Sequence, residues 1–138
     1  MKYILEDEYE FDFLLLGISC HEKDYRLCWA LNQALSLHLK KGDADLEIFF
    51  KKKNKRSLHS LYVFINEDTR NEFYLLKNRS DSGFIIPEQP HADYLLMIKE
   101  KYTLDFNSIL LKIRSVPFIL MAFEIHVEQL KSKENLIF

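Results

Sequence analysis

Leu58-His59-Ser60-Leu61-Tyr62-Val63-Phe64-Ile65, then Asn66-Glu67-Asp68-Thr69-Arg70, then Asn71-Glu72-Phe73-Tyr74-Leu75-Leu76-Lys77 is the stretch that decides the fold. Two runs rich in aromatic and β-branched residues flank five polar ones, and that pattern predicts two strands joined by a hairpin turn. A hairpin makes its strands antiparallel neighbours, so this stretch predicts an antiparallel sheet. Further strands are predicted on either side, over 44–50 and 93–99. In the first, Leu46, Ile48 and Phe50 alternate with Glu47, as in a half-exposed strand. In the second, Tyr94-Leu95-Leu96-Met97-Ile98 is apolar on both faces, which suits a central position.

The flanks complete the pattern. Phe11 to Ile18 is apolar on both faces after Phe13 and predicts an interior strand. A helix is expected over Asp24–Lys40, with Leu27, Cys28, Leu31, Ala34 and Leu35 on its buried stripe. Lys40 and Lys41 suit its negative end, and Gly42 stands where a left-handed cap would fall. Trp29, Ala30 and Leu37 give this helix a second apolar face. Asn32 is polar beside the buried stripe, where helices disfavour it, and its side chain is expected to bond to a neighbouring loop.

A second helix is expected over 105–114, with Phe106, Ile109, Leu110 and Ile113 buried, Asp105 as N-cap and Pro117 just beyond its end. Phe118 to Ile125 reads as the last strand, before a polar tail with a short helical turn. The order β-α-β-β-β-β-α-β predicts an α+β domain: a mainly antiparallel β-sheet with two packed helices.

Length and composition narrow the function. A chain of 138 residues predicts a single globular domain over 1–138, and 48% hydrophobic residues suffice for its core. Seven tyrosines and eleven phenylalanines exceed what so small a core hides, so aromatic residues are expected at a surface or interface. Only three glycines occur, none in a dinucleotide or Walker pattern, which argues against the common nucleotide enzymes. The net charge of −2 excludes a globally basic nucleic-acid binder but leaves room for a local patch.

Cys20 and Cys28 fit no CxxC pattern, and Met1-Lys2-Tyr3-Ile4-Leu5 runs into Glu6-Asp7-Glu8 without a secretory signal. Reduced, partly buried thiols in a soluble cytoplasmic protein, with no membrane contact, are expected.

The densest local feature is Ile85-Ile86-Pro87-Glu88-Gln89-Pro90-His91-Ala92-Asp93-Tyr94. Pro87 and Pro90 fix their own φ and push Ile86 and Gln89 toward extended geometry, so the segment is stiff. Glu88, His91 and Asp93 within it could serve acid–base chemistry or hold a divalent metal. The same residues also describe a loop tucked against the sheet, with Glu88 and Asp93 accepting backbone hydrogen bonds, and this second reading is preferred.

Ile86-Pro87-Glu88, three residues, then Ala92-Asp93-Tyr94 resembles the signature of a bacterial family named for it, IPExxxVDY, with alanine in place of valine. Tyr25-Arg26-Leu27-Cys28-Trp29-Ala30-Leu31-Asn32 and Leu130-Lys131-Ser132-Lys133-Glu134-Asn135-Leu136 also look like that family's segments. The resemblance therefore covers nearly the whole chain and carries no activity with it. It implies that Glu88 and Asp93 are specified, whereas His91 falls at an unspecified position, which weakens a catalytic role for the imidazole.

Two charged clusters remain. Lys51-Lys52-Lys53-Asn54-Lys55-Arg56 reads as an exposed loop between strands that could meet phosphates, with Phe49, Phe50 and Tyr62 near enough to stack. Its plain role would be to solubilise a connection and blunt a strand edge. Glu6, Asp7, Glu8, Glu10 and Asp12 form an acidic counterpart that could pair with it.

Cys20, His21 and Cys28 lack structural-zinc spacing, His59 and His126 lie in strand patterns, and no Gly-x-Ser-x-Gly occurs. Known motifs thus give no support to an enzyme, a cofactor or a metal. The leading expectation is a binding or protein-interaction domain, self-associating or bound to a protein partner, with loop 84–94 as docking surface through Ile86, Pro87, Glu88, Asp93 and Tyr94. The alternative is an RNA- or ribosome-associated factor using Lys51, Lys52, Lys53, Lys55 and Arg56. The third is an enzyme or metal site at Glu88, His91 and Asp93.

Overall fold

Alternating side chains in a strand point to opposite faces, so strands apolar at every position must be covered twice. The computed structural model, which describes residues 11–100 and 104–138, places the two such strands inside one sheet. They are β1 (Leu14–Cys20) and β9 (Tyr94–Lys99), and they pair antiparallel, with Leu16 opposite Leu96. β6 (Glu72–Lys77) and β5 (Leu61–Ile65) continue the sheet beyond β9, and β10 (Ile119–Ile125) closes it beyond β1. A two-residue strand, β2 (Lys40–Lys41), makes the sixth position, and the order is β10-β1-β9-β6-β5-β2, antiparallel throughout. Mainly antiparallel α+β architecture, with two helices among the described residues, is as the sequence predicts.

One face carries α1 (Asp24–Leu35) and α2 (Phe106–Arg114), which bury Leu27, Leu31 and Ile113 against Leu16, Ile18, Leu75, Leu96 and Ile98. Asp105 caps α2 as expected, its carboxylate accepting from the Ser108 amide at 3.3 Å. The opposite face, Leu15, Leu76, Leu95 and Met97, is covered by no α-helix among the described residues. Ile48 from a separate hairpin, Ile85 and Ile86 from the signature loop, and Leu130 and Leu136 from the C-terminal tail form that second layer. Each fully buried leucine or isoleucine there contributes about 1.5–3 kcal/mol.

Several boundaries differ from expectation. α1 ends at Leu35, not Lys40, because Ser36 takes a left-handed conformation (φ 55°) and Asn32 clasps the chain that follows. The Asn32 amide donates to the Leu39 carbonyl at 3.2 Å and its oxygen accepts the Leu39 N–H at 2.8 Å. Gly42 is no cap; its N–H donates to Leu61 O, beside the β2–β5 pairing.

The run 58–65 is two strands. β4 (Lys55–His59) pairs with β3 (Leu46–Phe50), and only after Ser60 does the chain join the main sheet as β5. The basic run is not wholly a loop either: Lys51–Lys53 make one 3-10 turn, Asn54 is left-handed (φ 48°), and Lys55 and Arg56 already belong to β4. A small hairpin, β7 (Arg79–Ser80) with β8 (Gly83–Phe84), has no counterpart in the sequence reading. Of the acidic cluster, Glu6 to Glu10 lie outside the described residues.

Candidate functional site

The signature loop is held by one residue that the motif does not contain. Asn78, fully buried just after β6, spends its whole side chain on the loop. Its amide donates to the carbonyls of Ala92 (2.8 Å) and Gln89 (3.2 Å), and its oxygen accepts the Ile86 N–H at 2.8 Å. Its backbone adds bonds to Asp93 O and from the Ile85 N–H.

Asp93 and Glu88 then tie the loop outward. Asp93 accepts the Cys20 amide at 2.9 Å on one oxygen and faces Arg79 Nε at 3.4 Å with the other. Glu88 accepts the Ser132 amide of the tail at 2.7 Å, and Asn135 donates to Ile85 O at 2.9 Å. Burial works against the charge on Glu88, yet hydrogen bonds from its own backbone and from Ser132 and Lys131 outweigh it and hold the carboxyl below its usual range. Ser19 donates its hydroxyl to His91 O.

Ile86 and Tyr94 are buried anchors, whereas Pro87, Glu88, Pro90 and His91 stay at the surface. Glu88, His91 and Asp93 are not gathered into one site: Glu88 turns to the tail and Asp93 to β1 and Arg79. No three His, Cys, Asp or Glu side chains among the described residues are placed to share a metal ion.

Beside Asp93 an open cleft of about 260 Å³ lies at the end of β1, lined by Cys20, His21, Glu22, Lys23, Lys77, Arg79, Asp93 and Tyr94. Its reactive groups are subdued. Burial pushes the Cys20 thiol up, away from the thiolate that a nucleophile needs. Burial also raises Tyr94, whose hydroxyl donates to Glu22 O at 2.6 Å. Asp24, at the start of α1, is lowered: burial opposes ionisation, but Ser60, the Tyr25 amide, Lys41 and Lys77 together prevail. Near it burial and the Asp24 charge leave Tyr62 pushed up to about 12.

Arg79 stitches the rim, reaching Pro90 O at 3.0 Å and stacking over Phe84. A second groove of about 340 Å³, lined by Arg56, Leu58, Lys77, Ser80, Asp81 and Ser82, shares Lys77 with the first. Beneath the hairpin His59 is fully buried, with Nδ1 donating to Lys77 O (2.7 Å) and Nε2 facing Ser57 Oγ (2.6 Å). The carbonyl can only accept, which fixes the neutral tautomer, and burial lowers the imidazole's pKa accordingly. Ser57, also buried, completes a structural pair that no substrate reaches.

Sequence reasoning located the loop but missed Asn78, Ser19, Lys77 and Arg79. Each acts on residues more than ten positions away or through a hairpin too short to leave a periodic pattern. An asparagine directly after a strand was the only signal available. No family model, no curated protein and no solved structure matches the chain. No helix among the described residues is long and apolar enough to cross a membrane.

Proposed function

We propose that the chain is a small binding domain of the bacterial cytoplasm that acts through protein contacts, a second copy of itself first among them. One observation carries the reading: Tyr25 and Trp29, one turn apart on α1, are each 63% exposed. Large aromatic side chains are the commonest interface anchors, and two on one helix face offer a rigid apolar contact. The engagement of Asn78, Asp93 and Glu88 in the fold supports it from the other side, since it leaves the signature a structural role. We further infer membership of the IPExxxVDY family from Ile86-Pro87-Glu88 and Ala92-Asp93-Tyr94.

Sedimentation velocity over a concentration series tests the proposal. The wild type should associate, with the emission of Trp29, the single tryptophan, shifting to the blue as it does so. The Tyr25→Ser, Trp29→Ser chain should stay monomeric at an unchanged melting temperature. A wild type that remains monomeric at every concentration sinks the self-association.

A further inference from the structure

The β3–β4 ribbon and the groove beside it are left unused by that function. The ribbon's inner face, Ile48, Ser57 and His59, is buried. Its outer face follows from the register, which sets Glu47 opposite Leu58 and Phe49 opposite Arg56. On that face Phe49 is 57% and Leu58 50% exposed. Lys51, Lys52, Lys53 and Lys55 crown the tip, all exposed. Arg56 holds Glu47 at 3.3 Å, which steadies the guanidinium on the strand next to Phe49.

Behind Arg56 lies the groove of about 340 Å³ between β4 and the β7–β8 hairpin, with Lys77, Ser80 and Ser82 on its walls. Along tip and groove six cations (Lys51, Lys52, Lys53, Lys55, Arg56 and Lys77) meet two carboxylates, Glu47 and Asp81, and Asp24 acts on Lys77 as a third. In a chain of net charge −2 this is a local concentration of positive potential.

The geometry points to a site for single-stranded nucleic acid, in which the lysine tip and Lys77 take successive phosphates and Phe49 stacks on a base. Three features choose this polyanion over others. The groove is concave and of the size that admits a small organic unit, about 300–1,000 Å³, whereas a membrane surface cannot enter it. Serine hydroxyls and cations on its walls are the groups that contact phosphate and sugar. An exposed aromatic flanking a cationic path is the stacking platform of sequence-tolerant single-strand binders, and neither a vesicle nor polyphosphate would use it that way.

Anisotropy of fluorescein-labelled oligouridylate RNA, titrated with the full chain at rising KCl, tests the site. Affinity should fall linearly on a log–log salt plot, and Lys77→Gln should reduce that slope by about 0.7, the share of one phosphate on a single strand. Phe49→Ser should weaken binding about tenfold without changing the slope. Both residues are at the surface, so melting temperatures should match the wild type. The proposal is overturned if the RNA does not bind, or if phosphatidylserine vesicles bind and RNA does not. It is equally overturned if Lys77→Gln leaves the slope intact, or if polyphosphate binds as tightly as RNA while Phe49→Ser is silent.

Discussion

Asn78 shows how much one buried amide can organise. Its side chain bonds to the Ile86 N–H and to the carbonyls of Gln89 and Ala92. Gln89 O also accepts the Ala92 N–H, so the Ile86 N–H and Ala92 O are the backbone groups that depend on this amide at the edge of the core. An orphaned buried polar group costs about 1–3 kcal/mol. Asn78→Ala should therefore destabilise the protein by about 3 kcal/mol or more, read as a lower urea midpoint. Asn78→Asp should not rescue it, because a carboxylate keeps the acceptor but faces two carbonyls with no donor. An Asn78→Ala midpoint within about 0.5 kcal/mol of wild type would mean that water or a shifted loop replaces the amide. The sequence made the loop conspicuous through its two prolines and paired isoleucines. It left Asn78 obscure, because one asparagine after a strand looks like any turn residue until its partners are known.

Among the elements, those with strong periodicity were legible and those set by a tertiary partner were not. The hairpin turn at 66–70, the central β9 and the Asp105 cap follow from local pattern. The end of α1 does not: five residues of apparent helix are surrendered because Asn32 bonds to Leu39 and β2 gains pairing with β5. That asparagine was expected to bond to a neighbouring loop, and it does. The break at Ser60 was illegible for a similar reason, since both halves are strand and only their partners differ.

The β7–β8 hairpin depends on Gly83, which sits at φ 154° with its α-carbon facing Phe50. A Cβ there would come within 2.8 Å of the Phe50 ring while holding a backbone geometry that side chains resist. Gly83→Ala should cost about 1–3 kcal/mol and loosen this hairpin first. Hydrogen exchange checks it: the amide of Ile85, bonded to Asn78 O just beyond β8, should lose protection before the amides of β9 do.

At the scale of the whole molecule, the two covered faces of the sheet respond differently to acid. The helical face buries an almost wholly apolar set and carries one lowered carboxylate, Asp24 at the head of α1, whereas the loop-covered face depends on His59 beneath the β3–β4 ribbon and on Glu88 at the tail. His59 is held neutral in the fold, so its pKa there lies below the value of about 6.5 that it regains on unfolding. Above that pH both states carry a neutral ring and its titration costs nothing. As pH falls through about 6.5 the unfolded chain takes up the proton first, and stability drops by up to about 1.4 kcal/mol per pH unit until the folded value is reached.

Glu88 and Asp24 also have folded values below their unfolded ones, but these carboxylates act lower. Their contribution is complete above the unfolded range of about 4 and is lost as pH falls through the folded values. Urea midpoints between pH 7.5 and 3 should therefore fall in two stages. In His59→Gln, whose amide can still donate to Lys77 O, the upper stage should vanish, even if the variant starts less stable at pH 7.5. In Glu88→Gln the upper stage should persist and the lower one shrink. A wild-type midpoint that is flat from pH 7 to 5 would show that His59 protonates without leaving its site, and that the ribbon above it opens more easily than its buried histidine implies.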